Sequence, residues 1–448
     1  MAYRNFSAAT EMGALTTDML ASGVSRRSLF RAGGYIAAGA ALSGLPFGRE
    51  LLAHDVSEAY PTVAAMAKRY ISEKKVANMF ATFGWNQEDH AHTVGGGTLS
   101  MGGGAQVDEN SLYRIYSMSK PITGMAIMML IDEGKLGLDM PLHEVIPAFR
   151  DMQVLVDPEG PLENTVPTKT PITIRHLLTH TAGLGYGITS KGPLLDAFNE
   201  NGLVGGRVSR FPIPGLPNPT PAPGLEVWAD RLATLPLMYQ PETKWSYSCS
   251  IDLLGRVIEV ASGMEFEAFL KTRLFDPCGM TSTYMTVPAS EKSRLTDNFG
   301  VLGETVLPLD PGANSIYLDE PKVPSGGGGL VSSPKDYDRF LRMLLGYGTL
   351  DGTRVMSEPA VRVGVSDLVP ATVDLSDSWI AGQGHGAGGR SVDGTFGWGG
   401  AAGTLGAIDY KIGLRTGLFT QYMPADVYPV RDEFLAAVEK DLMAMNGA

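Results

Sequence analysis

Apolar residues between Val56 and Lys74 fall on one stripe at helical spacing: Val63, Met66, Ala67, Tyr70 and Ile71. This predicts an amphipathic helix. The pattern then changes period. Val76 to Trp85 is β-rich, and Thr93 to Met101 follows a polar turn, which together read as a hairpin. Leu112 to Tyr116 is a short strand leading into a longer apolar run, Ile122 to Gly134, with Asp132-Glu133 late and a glycine stop. Pro121 lacks a backbone N–H and its ring clashes with the preceding turn, so it belongs in the first turn of that helix. The helix is therefore expected to begin close to Ser117.

Further helices are predicted at Thr173 to Leu178, Leu225 to Leu237, Ile251 to Ala261, Phe266 to Leu274, Pro334 to Leu345 and Glu358 to Val365. Gly187 to Pro223 is rich in Gly and Pro and reads as a long loop. Strand patterns return at Thr404 to Tyr410 and Leu414 to Tyr422, before a closing helix from Arg431 to Met445. No run of βαβ units appears, which disfavours a doubly wound parallel sheet. The expected fold is α/β of the α+β type: an antiparallel sheet flanked by helices and built from both termini, with an inserted, mostly helical domain. The α/β part is placed at about 54–125 and 330–448, and the helical part at about 126–329.

Composition narrows the partners. Of the 448 residues, 44% are hydrophobic and 19% charged, as in an ordinary globular protein. The net charge is −12 and no Lys/Arg run is present, which argues against nucleic acid or an anionic membrane surface. Cys249 and Cys278 are too few for a disulfide framework and form no C-x-x-C motif, so two buried thiols are expected.

The first fifty-three residues stand apart. Ser25-Arg26-Arg27-Ser28-Leu29-Phe30-Arg31 precedes a Gly/Ala-rich, weakly apolar run to Phe47 that is too short to span a bilayer. An arginine pair, a mild apolar stretch and a polar exit read as a twin-arginine signal and linker over 1–53, implying periplasmic export. Without export the chain would be cytoplasmic.

The chemistry centres on Tyr116-Ser117-Met118-Ser119-Lys120-Pro121. Ser117 and Lys120 are three residues apart, on one face and one turn from each other. A serine hydroxyl is a weak nucleophile until a base takes its proton, and a lysine can be that base. Two other stretches suit the same chemistry. Trp245-Ser246-Tyr247-Ser248 offers a phenol that can shuttle the serine proton to a leaving group. Gly397-Trp398-Gly399-Gly400-Ala401 offers glycine-rich backbone whose N–H groups can approach a ligand closely, as an oxyanion hole needs.

On these stretches the chain resembles the serine β-lactamase and penicillin-binding superfamily, closest to class C β-lactamases and family VIII carboxylesterases. Leu177-Leu178-Thr179-His180-Thr181-Ala182-Gly183-Leu184 and Ser325-Gly326-Gly327-Gly328-Gly329-Leu330-Val331-Ser332 add to the likeness. The five pieces occur in the family order from Val56 to the C-terminus. The resemblance implies a β-lactamase/transpeptidase-like fold, Ser117 as acyl-forming nucleophile, Lys120 as base and Tyr247 as proton relay. It implies an oxyanion hole from the N–H groups of Ser117 and Ala401, and a substrate pocket at Tyr186, Cys249, Trp398, Gly399 and Gly400. No cofactor or metal is implied, and His180 is expected to be structural.

Two departures shape the substrate. The family's Tyr-x-Asn reads Tyr247-Ser248-Cys249, and its Lys-Thr-Gly reads Trp398-Gly399-Gly400. Both changes remove polar recognition of an anionic, peptide-like molecule while leaving the acylation groups in place. The expectation is a carboxylesterase acting on small neutral esters. The alternatives are an amide hydrolase, acting on β-lactams or D-amino-acid peptides, and a non-catalytic peptidoglycan binder. Gly384-His385-Gly386-Ala387-Gly388-Gly389 matches G-x-G-x-x-G without the surrounding strand-turn-helix, so a dinucleotide site is not expected. Glu88-Asp89-His90-Ala91-His92 reads as a solvated hairpin turn.

Overall fold

The computed structural model describes residues 56–213 and 217–445; the 1–53 segment with its arginine pair lies outside them. Its frame is one eight-stranded antiparallel sheet. The amino-terminal part supplies β1 (Asn78–Trp85), β2 (His92–Ser100) and β3 (Gly103–Gln106). The carboxy-terminal part supplies β4 (Gly384–His385), β5 (Arg390–Val392), β6 (Thr395–Gly399), β7 (Leu405–Asp409) and β8 (Leu414–Phe419). The order is β4-β5-β6-β7-β8-β1-β2-β3. The two ends meet where β1 pairs with β8, from Phe80 opposite Phe419 to Trp85 opposite Leu414. The sheet is thus closed by both termini, as the strand patterns predict.

Each face is covered by helices. α1 (Pro61–Ser72) and α7 (Val430–Met445) lie on one face, where Val63, Met66 and Tyr70 form a core with Phe434, Phe83 and Leu418. Tyr60, just before α1, stacks on Phe83 with ring centroids 3.9 Å apart. The larger core fills the opposite face and the helical region, and α2 (Ser119–Asp132) runs through it. Every residue of α2 from Ser119 to Leu130 is buried. That explains its apolar character on all sides, since a helix without a solvent face needs no polar stripe. α5 (Ser250–Ser262) packs beside it, after α3 (Ile174–Leu178) and α4 (Leu225–Ala233), and α6 (Pro334–Leu345) returns the chain to the sheet. Arg415 on β8 forms a buried ion pair with Asp338 on α6 at 2.9 Å.

Two elements differ from the pattern-based expectation. Ser117 is not in the α-helix proper: Tyr116–Met118 forms a 3₁₀ turn and α2 starts at Ser119, with Pro121 in its first turn. A second difference is a helix inside the Gly/Pro-rich stretch, Gly192–Glu200, which buries Leu194, Ala197 and Phe198. Pro193 at its first positions is compatible with helix entry, because its missing N–H would have no partner there. Glycine and proline there mark the helix boundary and mask the helix itself.

The glycine-rich 384–389 stretch is a packing surface. A Cβ on Gly388 would lie 2.3 Å from the Lys120 carbonyl oxygen, and one on Gly124 would lie 2.1 Å from the Ala387 carbonyl oxygen. Glycine on both sides allows α2 to approach this loop backbone to backbone. Asp89, in the hairpin turn, is committed to Arg342 at 2.6 Å.

Candidate active site

The turn before α2 is held in an unusual backbone conformation. Tyr116 has φ +42°, a left-handed value that is costly for a bulky residue. Its ring is fixed at both ends: the hydroxyl accepts from Asn298 Nδ2 at 3.0 Å, and Tyr317 meets it edge-on. The next residue, Ser117, is thereby turned toward the helical region. There Tyr247 Oη donates to Ser117 Oγ at 2.9 Å and Lys120 Nζ donates to it at 3.3 Å. One hydroxyl oxygen is therefore in contact with both an amine and a phenol, the arrangement needed to remove and return its proton.

Lys120 is fully buried, and its second contact is a carbonyl, Gly327 O at 2.7 Å. The same Gly327 peptide donates its N–H to Asp252 Oδ1 at 3.0 Å, and Ser325 Oγ donates to that oxygen too. Asp252 lies in the first turn of α5, which begins just after Tyr247-Ser248-Cys249. Burial pushes the Asp252 carboxyl up from the usual carboxylate range, and the positive charge of Lys120 acts against that rise. Asp252 is the site residue that motif reading missed. The available signal was a lone carboxylate in the apolar run Ile251 to Ile258.

The two turns expected to supply the oxyanion N–H groups are brought together by close packing. A Cβ on Gly400 would lie 2.2 Å from the Ile115 carbonyl oxygen, so this position tolerates only glycine. The contact presses the turn carrying Ala401 onto the turn carrying Ser117. Gly400 N donates to Thr404 O at 2.9 Å and closes the connection from β6 to β7.

Aromatic rings enclose the tyrosine. Trp398 stacks on Tyr247 at 5.9 Å, Trp379 lies at 4.9 Å, Trp245 at 6.2 Å and Tyr186 at 5.8 Å. Trp379, from an unpatterned stretch before β4, was not anticipated. Tyr186 is buried beside the Lys120 ammonium, which sits 5.9 Å from its ring, and its hydroxyl reaches Gly205 O at 3.5 Å. Gly205 belongs to the long 187–223 connection, so that connection forms part of the site. Cys249 is buried in the same core and its N–H donates to Gly185 O at 3.1 Å. Burial pushes its thiol well above the usual range.

His180 does not bond to Ser117 among the described contacts. Its Nδ1 accepts from Ser248 N at 3.2 Å and lies 3.0 Å from Ser248 Oγ, and its ring lies 4.8 Å from that of Tyr247. His180 is thus a wall behind the phenol. His385 completes that wall, and burial holds both imidazoles below their ordinary value.

Beyond Trp398 the strand edge carries charge. β5 pairs with β6 only from Thr395 to Gly397, so the ladder on that side stops before Trp398, which is buried. Arg390, at the end of β5, places its guanidinium 5.6 Å from the Trp398 ring centre. Arg431, at the start of α7, donates to the carbonyls of Gly400 and Thr404, and a Cβ on Gly399 would meet its guanidinium at 2.9 Å.

The chain matches the Beta-lactamase family model over residues 66–440. It belongs to that family. Within this β-lactamase family, it is 35% identical over 286 residues to Protein Rv1367c of Mycobacterium tuberculosis, covering 64% of this chain and 67% of that one. It is 29% identical over 336 residues to Esterase EstB of Burkholderia gladioli, covering 71% of this chain and 79% of the esterase. Among solved structures it is similar to EstCE1, a hydrolase with promiscuous acyltransferase activity. That match has a TM-score of 0.68 and 21% identity, and covers 86% of this chain and 99% of that one. The last likeness establishes the β-lactamase/transpeptidase-like fold. Family membership and the esterase relative support acyl-enzyme chemistry on a serine.

Proposed function

We propose that this β-lactamase-family chain is a serine carboxylesterase acting on small neutral esters. The observation that carries the reading is Ser117 Oγ held between Lys120 Nζ and Tyr247 Oη, with Trp398 where the family has a cation and Cys249 where it has an amide. Lys120, in its neutral form, takes the proton as Ser117 Oγ adds to the ester carbonyl. The oxyanion is received by the N–H groups of Ser117 and Ala401. The C–O bond then breaks, Tyr247 passes a proton to the leaving alcohol, and an acyl-Ser117 ester remains. Water, deprotonated by the same pair, adds to the acyl group and releases the acid and free Ser117.

A second reading, transfer of the acyl group to an alcohol, is favoured by the ring wall. Trp379, Trp398 and Tyr186 around Tyr247 would exclude water and retain an apolar acceptor at the acyl-enzyme stage. The acyltransferase activity named for EstCE1 supports this choice of acceptor.

A fluorophosphonate tests the acyl-enzyme. One adduct per chain is expected, on the peptide containing Ser117 and absent from Ser117→Ala. Labelling elsewhere, or none, would contradict the reading. Export by the twin-arginine route is proposed alongside; unchanged export of an Arg26→Lys, Arg27→Lys chain would contradict it.

A further inference from the structure

α7 carries a cation at the end of the helix where a cation is least favourable. Arg431 lies in its first turn, where the free N–H groups form the positive end of the helix dipole. Its contacts lie off the helix, on the turn that joins β6 to β7. Arg431 Nη2 donates to Gly400 O, and Nε donates to Thr404 O at 3.2 Å. The same two residues close that turn, Gly400 N donating to Thr404 O at 2.9 Å. Gly399 makes room for the guanidinium, since a Cβ there would lie 2.9 Å from its Cζ. Gly400 makes room for the Ile115 carbonyl. The two adjacent glycines therefore admit two different neighbours, Arg431 and the turn that carries Ser117.

The carbonyl held by Arg431 belongs to the peptide joining Gly400 to Ala401, and the N–H of that peptide is the expected second oxyanion donor. The peptide is trans and planar, so its C=O and N–H point in opposite directions. Fixing the oxygen at Arg431 fixes the direction of the N–H, away from the guanidinium. Ala401 N donates to no acceptor among the described residues, so it is left for a ligand oxygen. Hydrogen bonds in series polarise one another, and a charged donor on the carbonyl makes the amide N–H the stronger donor. That gain is larger toward a developing oxyanion than toward a neutral carbonyl, which is the distinction a catalyst needs.

Resting on the acyl-enzyme reading, we propose that Arg431 is a positioning residue for the reaction. It acts through the Gly400–Ala401 peptide, orienting and strengthening the Ala401 N–H as an oxyanion donor. In this role Arg431 makes no contact with the substrate.

Exchange of one atom tests this. Phenyl butyrate and its thiono analogue, with C=S for C=O, put oxygen or sulfur in the oxyanion hole, and sulfur is the weaker acceptor. The wild type is expected to favour the oxygen ester, and Arg431→Met to lose about tenfold of that kcat/KM preference. Arg431→Lys keeps a charged donor and is expected to recover part of it. Should Arg431→Met not fold, Arg431→Gln, with a neutral donor, carries the same comparison. A purely structural role would lower both rates together and leave their ratio unchanged.

Paraoxon and parathion differ in the same way at phosphorus. Their reaction with Ser117, read as p-nitrophenol released on a single phosphorylation, needs no turnover. A paraoxon preference that falls about tenfold in Arg431→Met would uphold the role of Arg431 even if neither ester were hydrolysed. That result would count against the esterase reading alone. An unchanged preference in Arg431→Met, on whichever pair reacts, would overturn the proposal whatever the turnover. A wild type inert to both pairs would overturn the acyl-enzyme and this role with it.

Discussion

Lys120 and Asp252 hold opposite ends of one peptide unit: Lys120 Nζ donates to Gly327 O at 2.7 Å, and Asp252 Oδ1 accepts from Gly327 N at 3.0 Å. The two buried side chains therefore meet through one amide, not through direct contact. The lysine is positioned by that amide and makes no direct ion pair with Asp252.

Asp252→Asn keeps the shape and removes the charge. With a neutral acceptor the Gly327 peptide that Lys120 Nζ donates to is held less firmly, so ester turnover is expected to fall while the fold persists. Asp252→Ala also leaves Ser325 and the Gly327 N–H without their acceptor, at about 1–3 kcal/mol. Its urea midpoint should fall while that of Asp252→Asn falls less. Ester turnover identical to wild type in Asp252→Asn would contradict this positioning role.

Tyr247→Phe removes the hydroxyl that touches Ser117 and leaves the ring among Trp245, Trp379 and Trp398. An ester turnover loss of roughly 10²–10⁴-fold is expected, the usual size for losing a general acid–base group. Circular dichroism should show a thermal midpoint within a few degrees of wild type.

Cys249 and Cys278 are both buried, and burial pushes their thiols up, Cys278 to about 12. A chromogenic disulfide reagent at pH 8 should find neither thiol in the native protein and both in guanidinium chloride. Rapid labelling of Cys249 in the native state would show that it opens to the pocket.

His385 is buried without a counter-charge, and burial holds its imidazole at about 3, against 6.5 for the free group. The folded-state value is the lower one, so below pH 6.5 the unfolded chain takes up a proton that the folded chain does not. Its contribution is thus complete above pH 6.5 and is lost as pH falls toward 3, by up to about 1.4 kcal/mol per pH unit. Denaturation midpoints from pH 7 to 5 should fall more steeply for wild type than for His385→Gln. Parallel curves would contradict the assignment.

What could be read from the sequence was what is local. Ser117 and Lys120 lie within one turn, and Pro121 fixes where that turn sits. The hairpin, the glycine stop at Gly134 and the closing helix are likewise written in short windows. The Asp252–Gly327 contact spans 75 positions, and no spacing rule signals it. Arg390 is brought to Trp398 by cross-strand register, which depends on how the strands pair. Trp379 comes from a stretch without periodicity, and the Gly192–Glu200 helix was concealed by the glycine and proline that begin it.

The central claim is that Ser117 forms an acyl-enzyme from an ester. Hydrolysis of p-nitrophenyl butyrate and of a chromogenic cephalosporin, by wild type and Ser117→Ala side by side, tests it most directly. The account predicts ester turnover that disappears in Ser117→Ala, with little cephalosporin cleavage by either protein. Ester turnover that survives in Ser117→Ala would contradict the role of Ser117, and cephalosporin cleavage exceeding ester turnover would make the chain an amide hydrolase instead.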